Sequence, residues 1–327
     1  MKVGILSDGK PGHLNQSLGI ANILAEDLEL DLITIDLLIK NPLLKPFLRF
    51  YQRFLCQNFN ESNANKIISL FQSIAVSDFD LLIATGGNTA YISASLGKKH
   101  NIKVIQIGSV KGIDLKNYLA HITVEPKDKS PNNIVTALAP TRYKPIDMLN
   151  RDNKNKALFL IGGDGSGYKY TLDDWHELIN NIKNLKDEHN VSPVIVTSRR
   201  TSKSHEEYLY KNSLSFADGS SKWFHKGMSN IDLSVLFNQV DNIFVTEESS
   251  MMITEAISSG LPVCTLHPKS IKSSESFRKQ ISKLKSINFI NSIPFCSELT
   301  QNASNNNLKI IEIRKSLKEK IINRIKQ

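Results

Sequence analysis

The sequence predicts an α/β protein built from two tandem Rossmann-like, doubly wound domains. Three observations predict this class: a length of 327 residues, an alternation of strand-like and helix-like segments in each half, and a polar break between the halves. A chain of this length with 40% hydrophobic residues can bury two separate cores. Alternating strands and helices predict parallel sheets with helices on both faces.

The first half supplies four strand-like and two helix-like segments. The pattern of apolar residues predicts strands at Lys2–Leu6, Leu30–Ile35, Asp80–Thr85 and Lys103–Ile107, and helices at His13–Asp27 and Asn88–His100. A polar stretch without periodicity, RDNKNK, then lies between Asn150 and the next apolar strand. We therefore place the boundary there, between an N-terminal domain (1–150) and a C-terminal domain (151–327).

The second half repeats the scheme. Strands are predicted at Ala157–Ile161, Pro193–Thr197, Asn242–Thr246 and Pro262–Leu266, and helices at Leu172–Lys186, Lys203–Asn212, Asp232–Val240 and Ser250–Ser259. A final helix over about Asn307–Lys326 is expected to pack back on the first domain. Two such domains would form an interdomain cleft between the carboxyl ends of their sheets, where open α/β sheets bind ligands.

Composition limits the partners and the location. The net charge of +9 indicates an anionic partner, such as nucleotide phosphates, acidic lipid or nucleic acid. No nucleic-acid-binding motif supports the last of these. No apolar run is long enough to span a bilayer and no signal-peptide core follows Met1, so a cytoplasmic protein is expected. The cysteines Cys56, Cys264 and Cys296 lack metal or disulfide spacing and are expected to be buried.

The strongest candidate site is VTEESSMMITEAISSGLPV, residues 245–263. The strand ends at Thr246 and a helix begins near Ser249 or Ser250. The unpaired backbone N–H groups at this helix start, as far as Met251 and next to Glu248, offer an anion site. Glu255, about one and a half turns into the helix, could accept hydrogen bonds from a ribose diol. The alternative is that Ser249 only caps the helix and Glu255 is solvated.

Two further segments of the second half end at the same predicted sheet edge. TSRRT (197–201) follows a strand, and a guanidinium of Arg199 or Arg200 matches a pyrophosphate, although an exposed basic loop is the alternative. LFLIGGDGSGYKY (158–170) carries Gly162 and Gly163, which permit either a close approach of the backbone to a ligand or a turn with positive φ. It matches neither a dinucleotide fingerprint nor a Walker A loop.

The first half offers candidate acid–base residues. In SDGKPGHLNQSLGIA (7–21), Asp8 ends a strand and His13 begins a helix, so His13 is a candidate proton acceptor; a capping histidine is the alternative. The same strand-to-helix geometry places a second group of residues on the expected acceptor side, namely Gly12, Asn15 and Gln16 together with Gly86, Gly87 and Asn88 of TGGNTA.

The segment PLLKPFLRFYQRFL, residues 42–55, suits an amphipathic helix. Lys45, Arg49 and Arg53 flank its apolar face, a pattern that favours an acidic membrane surface. The alternative is a helix packed on the sheet of its own domain.

Four motifs together resemble the elongated-mitochondria fission protein family, whose bacterial members are regarded as GT-B glycosyltransferases. They are GxxNQxxG at 12–19, LIGG at 160–163, TSRRT at 197–201, and the VTE-ES pattern ending at Val263. The resemblance implies that Glu255 holds the ribose, that Ser249 and the following amides hold the diphosphate, and that Arg199 or Arg200 holds the leaving phosphate. The sequence departs from the family pattern at Glu248, at Lys127–Asp128, and at GGN (86–88), where aspartate, a histidine and a glycine-arginine turn are usual.

The resemblance and the residues together predict transfer of a sugar from a nucleoside diphosphate to a lipid-linked or cell-envelope glycan acceptor. No cofactor is expected beyond the nucleotide-sugar substrate. The only DxD-like pair, Asp78 and Asp80, precedes its strand, so metal-independent chemistry is expected. Two other functions fit the same fold: a non-catalytic, membrane-associated interaction protein and a nucleotide-sugar epimerase.

Overall fold

The structure is a computed structural model that describes residues 1–126, 130–148, 154–228, 231–300 and 306–327. The chain divides into two compact units, a first unit of Met1–Arg142 with Glu312–Gln327 and a second unit of Tyr143–Ile311. The predicted domain boundary, at residues 150 and 151, and the Lys127–Asp128 departure lie outside the described residues. The C-terminal residues from Glu312 onward group with the first unit.

The first unit is formed around a six-stranded parallel sheet of order β2-β1-β3-β4-β5-β6. Its strands are β1 (Lys2–Ser7), β2 (Asp31–Asp36), β3 (Leu81–Thr85), β4 (Lys103–Ile107), β5 (Ala120–Thr123) and β6 (Asn133–Val135). Its helices are α1 (Pro11–Leu24), α2 (Lys45–Cys56), α3 (Glu61–Ser69) and α4 (Ala90–His100), with short 3-10 turns at Pro42–Leu44 and Leu115–Asn117.

Alternation along the strands divides this unit's core between the two faces of the sheet. Val3 and Ile5 of β1 pack in one cluster, which also contains Leu317 and Ile321 near the C-terminus, whereas Leu6 packs in the other cluster with residues of α3 and α4. Successive strand side chains point to opposite faces, so a continuous apolar strand must be covered on both. Arg314 binds Glu26 at 2.8 Å and Lys318 binds Asp27 at 2.9 Å, which fixes the C-terminal helix at the end of α1.

The second unit contains a five-stranded parallel sheet of order β11-β10-β9-β7-β8. Its strands are β7 (Lys156–Ile161), β8 (Ser192–Thr197), β9 (Asn242–Thr246), β10 (Val263–His267) and β11 (Asn291–Pro294). Its helices are α5 (Leu172–His189), α6 (Lys203–Ser213), α7 (Leu233–Phe237), α8 (Ser250–Ser258) and α9 (Glu275–Ser286), and α10 (Asn307–Ile325) begins here, with a 3-10 turn at Phe224–Lys226. Trp175, Phe159 and Phe244 lie in its core.

The predicted fold class of two doubly wound α/β domains is confirmed by these two sheets. Five elements were absent from the prediction, namely α3, α9, β5, β6 and β11. In addition, Cys296 is exposed, so the expectation that every cysteine is buried was wrong. Among the described residues, no helix is long and apolar enough to cross a membrane.

Candidate functional site

Each sheet has one point at which the strand order reverses. In the first unit the reversal lies between β1 and β3, and in the second unit it lies between β7 and β9. The loops that leave neighbouring strands at such a point diverge to opposite faces and leave a crevice at the carboxyl edge, which is where open α/β sheets bind ligands. Most of the predicted site residues follow one of these four strands.

In the second unit, Gly162 and Gly163 follow β7 directly and are packed tightly against the neighbouring turns. A Cβ on Gly162 would overlap the Glu248 carboxylate, and one on Gly163 would overlap the carbonyl oxygen of Arg200. Neither glycine has a positive φ. The positive-φ alternative is therefore wrong, and the close approach that the structure shows is to Glu248 and Arg200 of the protein itself. An approach of this backbone to a ligand stays a prediction.

Glu248 connects the β9 turn to this glycine loop. Its side chain is fully buried at 0% exposure, and its carboxylate accepts hydrogen bonds from the Gly163 N–H at 3.3 Å and the Tyr170 hydroxyl at 2.8 Å. Burial raises the pKa of Glu248 above its ordinary value, although these hydrogen bonds act in the opposite direction. We interpret Glu248 as a residue that positions the loop, since its oxygens are directed into the protein.

The β8 turn brings Arg200 to the same loop. The Thr201 hydroxyl donates to the Gly162 carbonyl at 2.6 Å, and the Arg200 N–H donates to Ser198 Oγ at 3.1 Å, so the backbone of the turn is fixed. The Arg200 side chain is exposed, and its Nη1 lies 3.7 Å from the position that a Cβ would take on Gly165. Arg199 is also exposed. The guanidinium of Arg200 therefore lies beside the glycine-rich loop.

Helix α8 follows the β9 turn and begins where the sequence predicts. Ser249 is its N-cap, and its side chain accepts from the Met252 N–H at 3.4 Å. Ser250 Oγ accepts from Gln280 at 2.6 Å, and Met251 and Glu255 are half-buried. Ser249 therefore caps the helix, as the alternative interpretation of the sequence expected. It does not exclude an anion at the helix tip, because the helix dipole and the first-turn N–H groups remain directed along the axis.

In the first unit, Asp8 and His13 form a hydrogen-bonded pair at the reversal point. His13 Nδ1 lies 3.0 Å and 3.1 Å from the two oxygens of Asp8, and Asn88 Nδ2 donates to the same carboxylate at 3.2 Å. The ring of His13 lies against Gly86, where a Cβ would overlap it, and Gly86 adopts a φ of +90°. This arrangement brings together four predicted residues, Asp8, His13, Gly86 and Asn88, from two segments of the sequence.

The remaining residues of the predicted acceptor side have different surroundings. Asn15 is buried and accepts from the Arg142 N–H at 2.8 Å, which indicates a structural role. Gly12 and Gln16 are half-buried on α1. Gly87 lies beneath the guanidinium of Arg49, which a Cβ there would overlap.

Carboxylate clusters that could hold a metal lie away from these turns. Among the described residues, the group close enough to share an ion consists of Glu188, His189 and Glu298, all exposed. Asp78 pairs with Lys2, and Asp80 accepts from the Lys2 N–H at 2.7 Å, so both carboxylates lie at the amino end of β3.

Several residues of these sites were not predicted. Tyr170, Thr201 and Thr246 fix the glycine loop through hydrogen bonds, Thr246 accepting from the Gly162 N–H at 2.7 Å. Arg49, named before only as part of a basic helix face, reaches Gly87. Thr246 ends a predicted strand and Thr201 follows one, a signal that could have identified both residues. The position of Arg49 beside Gly87 depends on how α2 packs on the sheet, which its sequence does not indicate.

Taken together, the two sheets define the class as a two-domain α/β protein of GT-B type, with the candidate site turns at the reversal point of each sheet. The sequence profile of the family described as mitochondrial fission ELM1 matches residues 11–311. The chain belongs to this family, as its motifs indicated. No curated protein sequence matches the chain significantly.

Solved structures resemble the chain over nearly its full length at low identity. A protein named as a UDP-N-acetylglucosamine 2-epimerase from Listeria monocytogenes has 10% identity and a TM-score of 0.50, with coverage of 99% of this chain and 90% of that one. An ADP-heptose heptosyltransferase II from E. coli has 10% identity, a TM-score of 0.43, and coverage of 99% and 98%. Anabaena HepE in complex with UDP-glucose has 11% identity, a TM-score of 0.45, and coverage of 100% and 99%. Such identities bear on the fold alone.

Proposed function

We propose that the protein is a metal-independent glycosyltransferase that moves a sugar from a nucleoside-diphosphate donor to a lipid-linked or cell-envelope glycan acceptor. One observation carries the proposal: the Gly162–Gly163 loop, Arg200 and the start of α8 converge at the reversal point of the second sheet. A cation, a tight glycine turn and a helix N-terminus at one sheet edge are suited to a diphosphate.

In the donor half, the second unit would stabilise the leaving group. The bond from the anomeric carbon to the diphosphate oxygen breaks, and its electron pair stays on that oxygen. The positive end of the α8 dipole and the Arg200 guanidinium would stabilise the added negative charge without a metal. Glu255 would accept hydrogen bonds from the ribose hydroxyls, about 7 to 8 Å along the helix from its first residue.

In the acceptor half, the first unit would remove a proton. Asp8 accepts the hydrogen bond from His13 Nδ1, so the neutral imidazole carries its hydrogen there and leaves Nε2 to take the proton of the acceptor hydroxyl. The hydroxyl oxygen then forms the new bond to the anomeric carbon. Asp8 stabilises the imidazolium that results, and Asn88 holds Asp8 in place.

Membrane contact at the cytoplasmic face is part of the proposal and is supported by α2. Its side chains Phe47, Phe50 and Phe54 are 69%, 78% and 61% exposed, so packing within the described chain does not account for them. Of the three basic residues of this helix, Arg53 is exposed and would contribute about 1 kcal/mol near an anionic surface, whereas Lys45 and Arg49 line the opposite face. A lipid-linked acceptor would be encountered at that surface.

Vesicle flotation tests this membrane contact. The protein should float with vesicles of phosphatidylcholine and phosphatidylglycerol and remain at the bottom with phosphatidylcholine alone. Phe50→Ser should weaken flotation, whereas Leu308→Ser, a change at an equally exposed apolar residue outside α2, should leave it unchanged. Equal flotation of both variants would contradict the assignment to α2.

Product analysis tests the reaction. The protein is incubated with nucleoside-diphosphate sugars, with and without a lipid-linked glycan fraction, and both the diphosphate and the glycan are measured. Acceptor-dependent release of the diphosphate with sugar appearing in the glycan supports transfer. Conversion of the donor sugar without acceptor would instead indicate an epimerase, and the absence of affinity for any nucleoside diphosphate would indicate an interaction protein.

A further inference from the structure

The first unit contains a cavity of about 640 Å³. It lies beyond the carboxyl ends of β1 and β2 and is bounded by the start and one face of α2, with contributions from Phe71, Gln72 and Asn88. Its volume is within the range of small-molecule sites. Asp8, which orients His13, is among the residues that line it.

Gln52 gives this cavity a specific chemical requirement. The side chain lines the cavity and is only 1% exposed, yet neither its amide nitrogen nor its amide oxygen has a hydrogen-bond partner among the described residues. A buried amide without partners destabilises the fold, so such a group is normally explained by what it binds. Both amide atoms are covered in this conformation, so a partner in the cavity requires the Gln52 side chain to rotate toward it.

Helix α2 separates the cavity from the exposed aromatic residues. Lys45, Leu48, Arg49 and Gln52 line the cavity and follow the spacing of one helix face. Phe47, Phe50 and Phe54 occupy the opposite face at 100° per residue. A ligand in the cavity is therefore recognised by a different surface from the one proposed for membrane contact.

The lining favours a ligand that is uncharged, rich in hydroxyls and partly apolar. Two cationic side chains, Lys45 and Arg49, are balanced by two carboxylates, Asp8 and Asp36, so no net charge selects an ion. Amides and carboxylates together offer both donors and acceptors, which suits hydroxyl groups that do both. The apolar part of the lining comprises Leu37, Leu38, Ile39, Pro42, Leu48 and Phe71.

We infer that this cavity binds the sugar end of an uncharged amphiphilic glycoside, with Gln52 hydrogen-bonded to sugar hydroxyls and the aliphatic part against the apolar wall. The identification of this ligand as the acceptor rests on the proposed function, because its hydroxyl would then be next to Asp8 and the His13 base. The binding itself requires neither a donor nor turnover.

Calorimetric titration of the full chain with octyl glucoside, below its critical micelle concentration and without any nucleotide, tests the inference. Octyl phosphate serves as an anionic ligand with the same alkyl chain. Octyl glucoside should bind at least about tenfold more tightly than octyl phosphate. Gln52→Leu should weaken octyl glucoside binding about tenfold, the effect of losing one to two hydrogen bonds, and should not lower the melting temperature because it removes an unpaired amide.

Two more variants keep the test decisive. Gln57→Leu makes the same change at an exposed residue outside the cavity and should bind like the wild type. Leu38→Glu alters the cavity wall at an exposed position, so it should fold and bind octyl glucoside weakly even if Gln52→Leu does not fold. Equal affinity for the two octyl ligands, or unchanged affinity in Gln52→Leu and Leu38→Glu, would overturn the inference. Loss of sugar transfer with octyl glucoside binding intact would count against the proposed function and leave the cavity assignment standing.

Discussion

Arg200 and Arg199 are adjacent in the chain, and the structure predicts that only Arg200 contributes strongly to diphosphate affinity. The Arg200→Ala change removes a guanidinium that lies beside Gly165 and leaves the backbone contacts of the turn in place. Hydrogen bonds to a charged group contribute about 1.5 to 3 kcal/mol, which corresponds to a loss of about 10- to 150-fold in affinity.

The assay is calorimetric titration with the nucleoside diphosphate that stabilises the wild-type protein most in a thermal-shift screen. Arg199→Ala is the matched control and should change the Kd by less than about twofold, since surface substitutions without such contacts have small effects. Arg200→Lys should recover only part of the affinity, because an ammonium cannot form the paired hydrogen bonds of a guanidinium. Arg199→Ala weakening binding as much as Arg200→Ala would refute this reasoning.

Three further predictions concern the base, the buried carboxylate and the C-terminal helix. Asp8→Asn should lower kcat about 10²- to 10⁴-fold in the transfer assay with the diphosphate Kd unchanged, and adding His13→Ala should cost little more; an unchanged kcat would remove the pair from the mechanism. Burial raises the pKa of Glu248 above 4.5, so the folded chain retains a proton that the unfolded chain loses, and the free energy of unfolding falls as the pH rises from 4.5 to the folded pKa. The urea midpoint of the wild type should show this fall, and that of Glu248→Gln should not. Parallel pH profiles of the two proteins would contradict the prediction. Ile321 is 0% exposed, so Ile321→Ala should lower the free energy of unfolding by about 2 to 5 kcal/mol. Ile311 is 45% exposed on the same helix, so Ile311→Ala should change it by less than about 0.5 kcal/mol. Equal effects in denaturant titrations would count against the observed packing.

The buried strands could be predicted because their apolar runs are long and uninterrupted. β7 and β9 are buried along almost their whole length, and a parallel strand covered on both faces has that pattern. The short strands β5 and β6 have four and three residues, too few for a periodic signal. Helix α9 was missed because its sequence is mostly polar, with only Ile281 and Leu284 buried.

The candidate sites were predictable to the extent that they depend on local chain geometry. Asp8 and His13 are five residues apart at a strand end and a helix start, so their pairing follows from a short turn. The contact of Gly162 with Glu248 joins positions 86 residues apart and depends on which strands are neighbours. For the same reason, the sequence could not distinguish close approach from positive φ at Gly162.

The cavity residues show most clearly what could not be predicted from the sequence. Gln52 appears in the sequence as one polar residue on an amphipathic helix, and its burial depends on the docking of α2 near Phe71 and the end of β2. The sequence pattern correctly indicated that α2 is amphipathic. It left open whether the aromatic face would be exposed or packed on the sheet, and it could not indicate that the polar face would enclose a cavity.

The proposed function requires a nucleoside diphosphate to bind at the carboxyl edge of the second sheet. Hydrogen–deuterium exchange of the full chain, with and without the diphosphate selected by thermal shift, tests this most directly because it requires neither the acceptor nor the sugar to be known. We expect exchange to slow in peptides covering 162–170, 198–201 and 247–256, and Arg200→Ala to reduce this protection. Protection confined to residues 1–142, with these three turns unchanged, would contradict it.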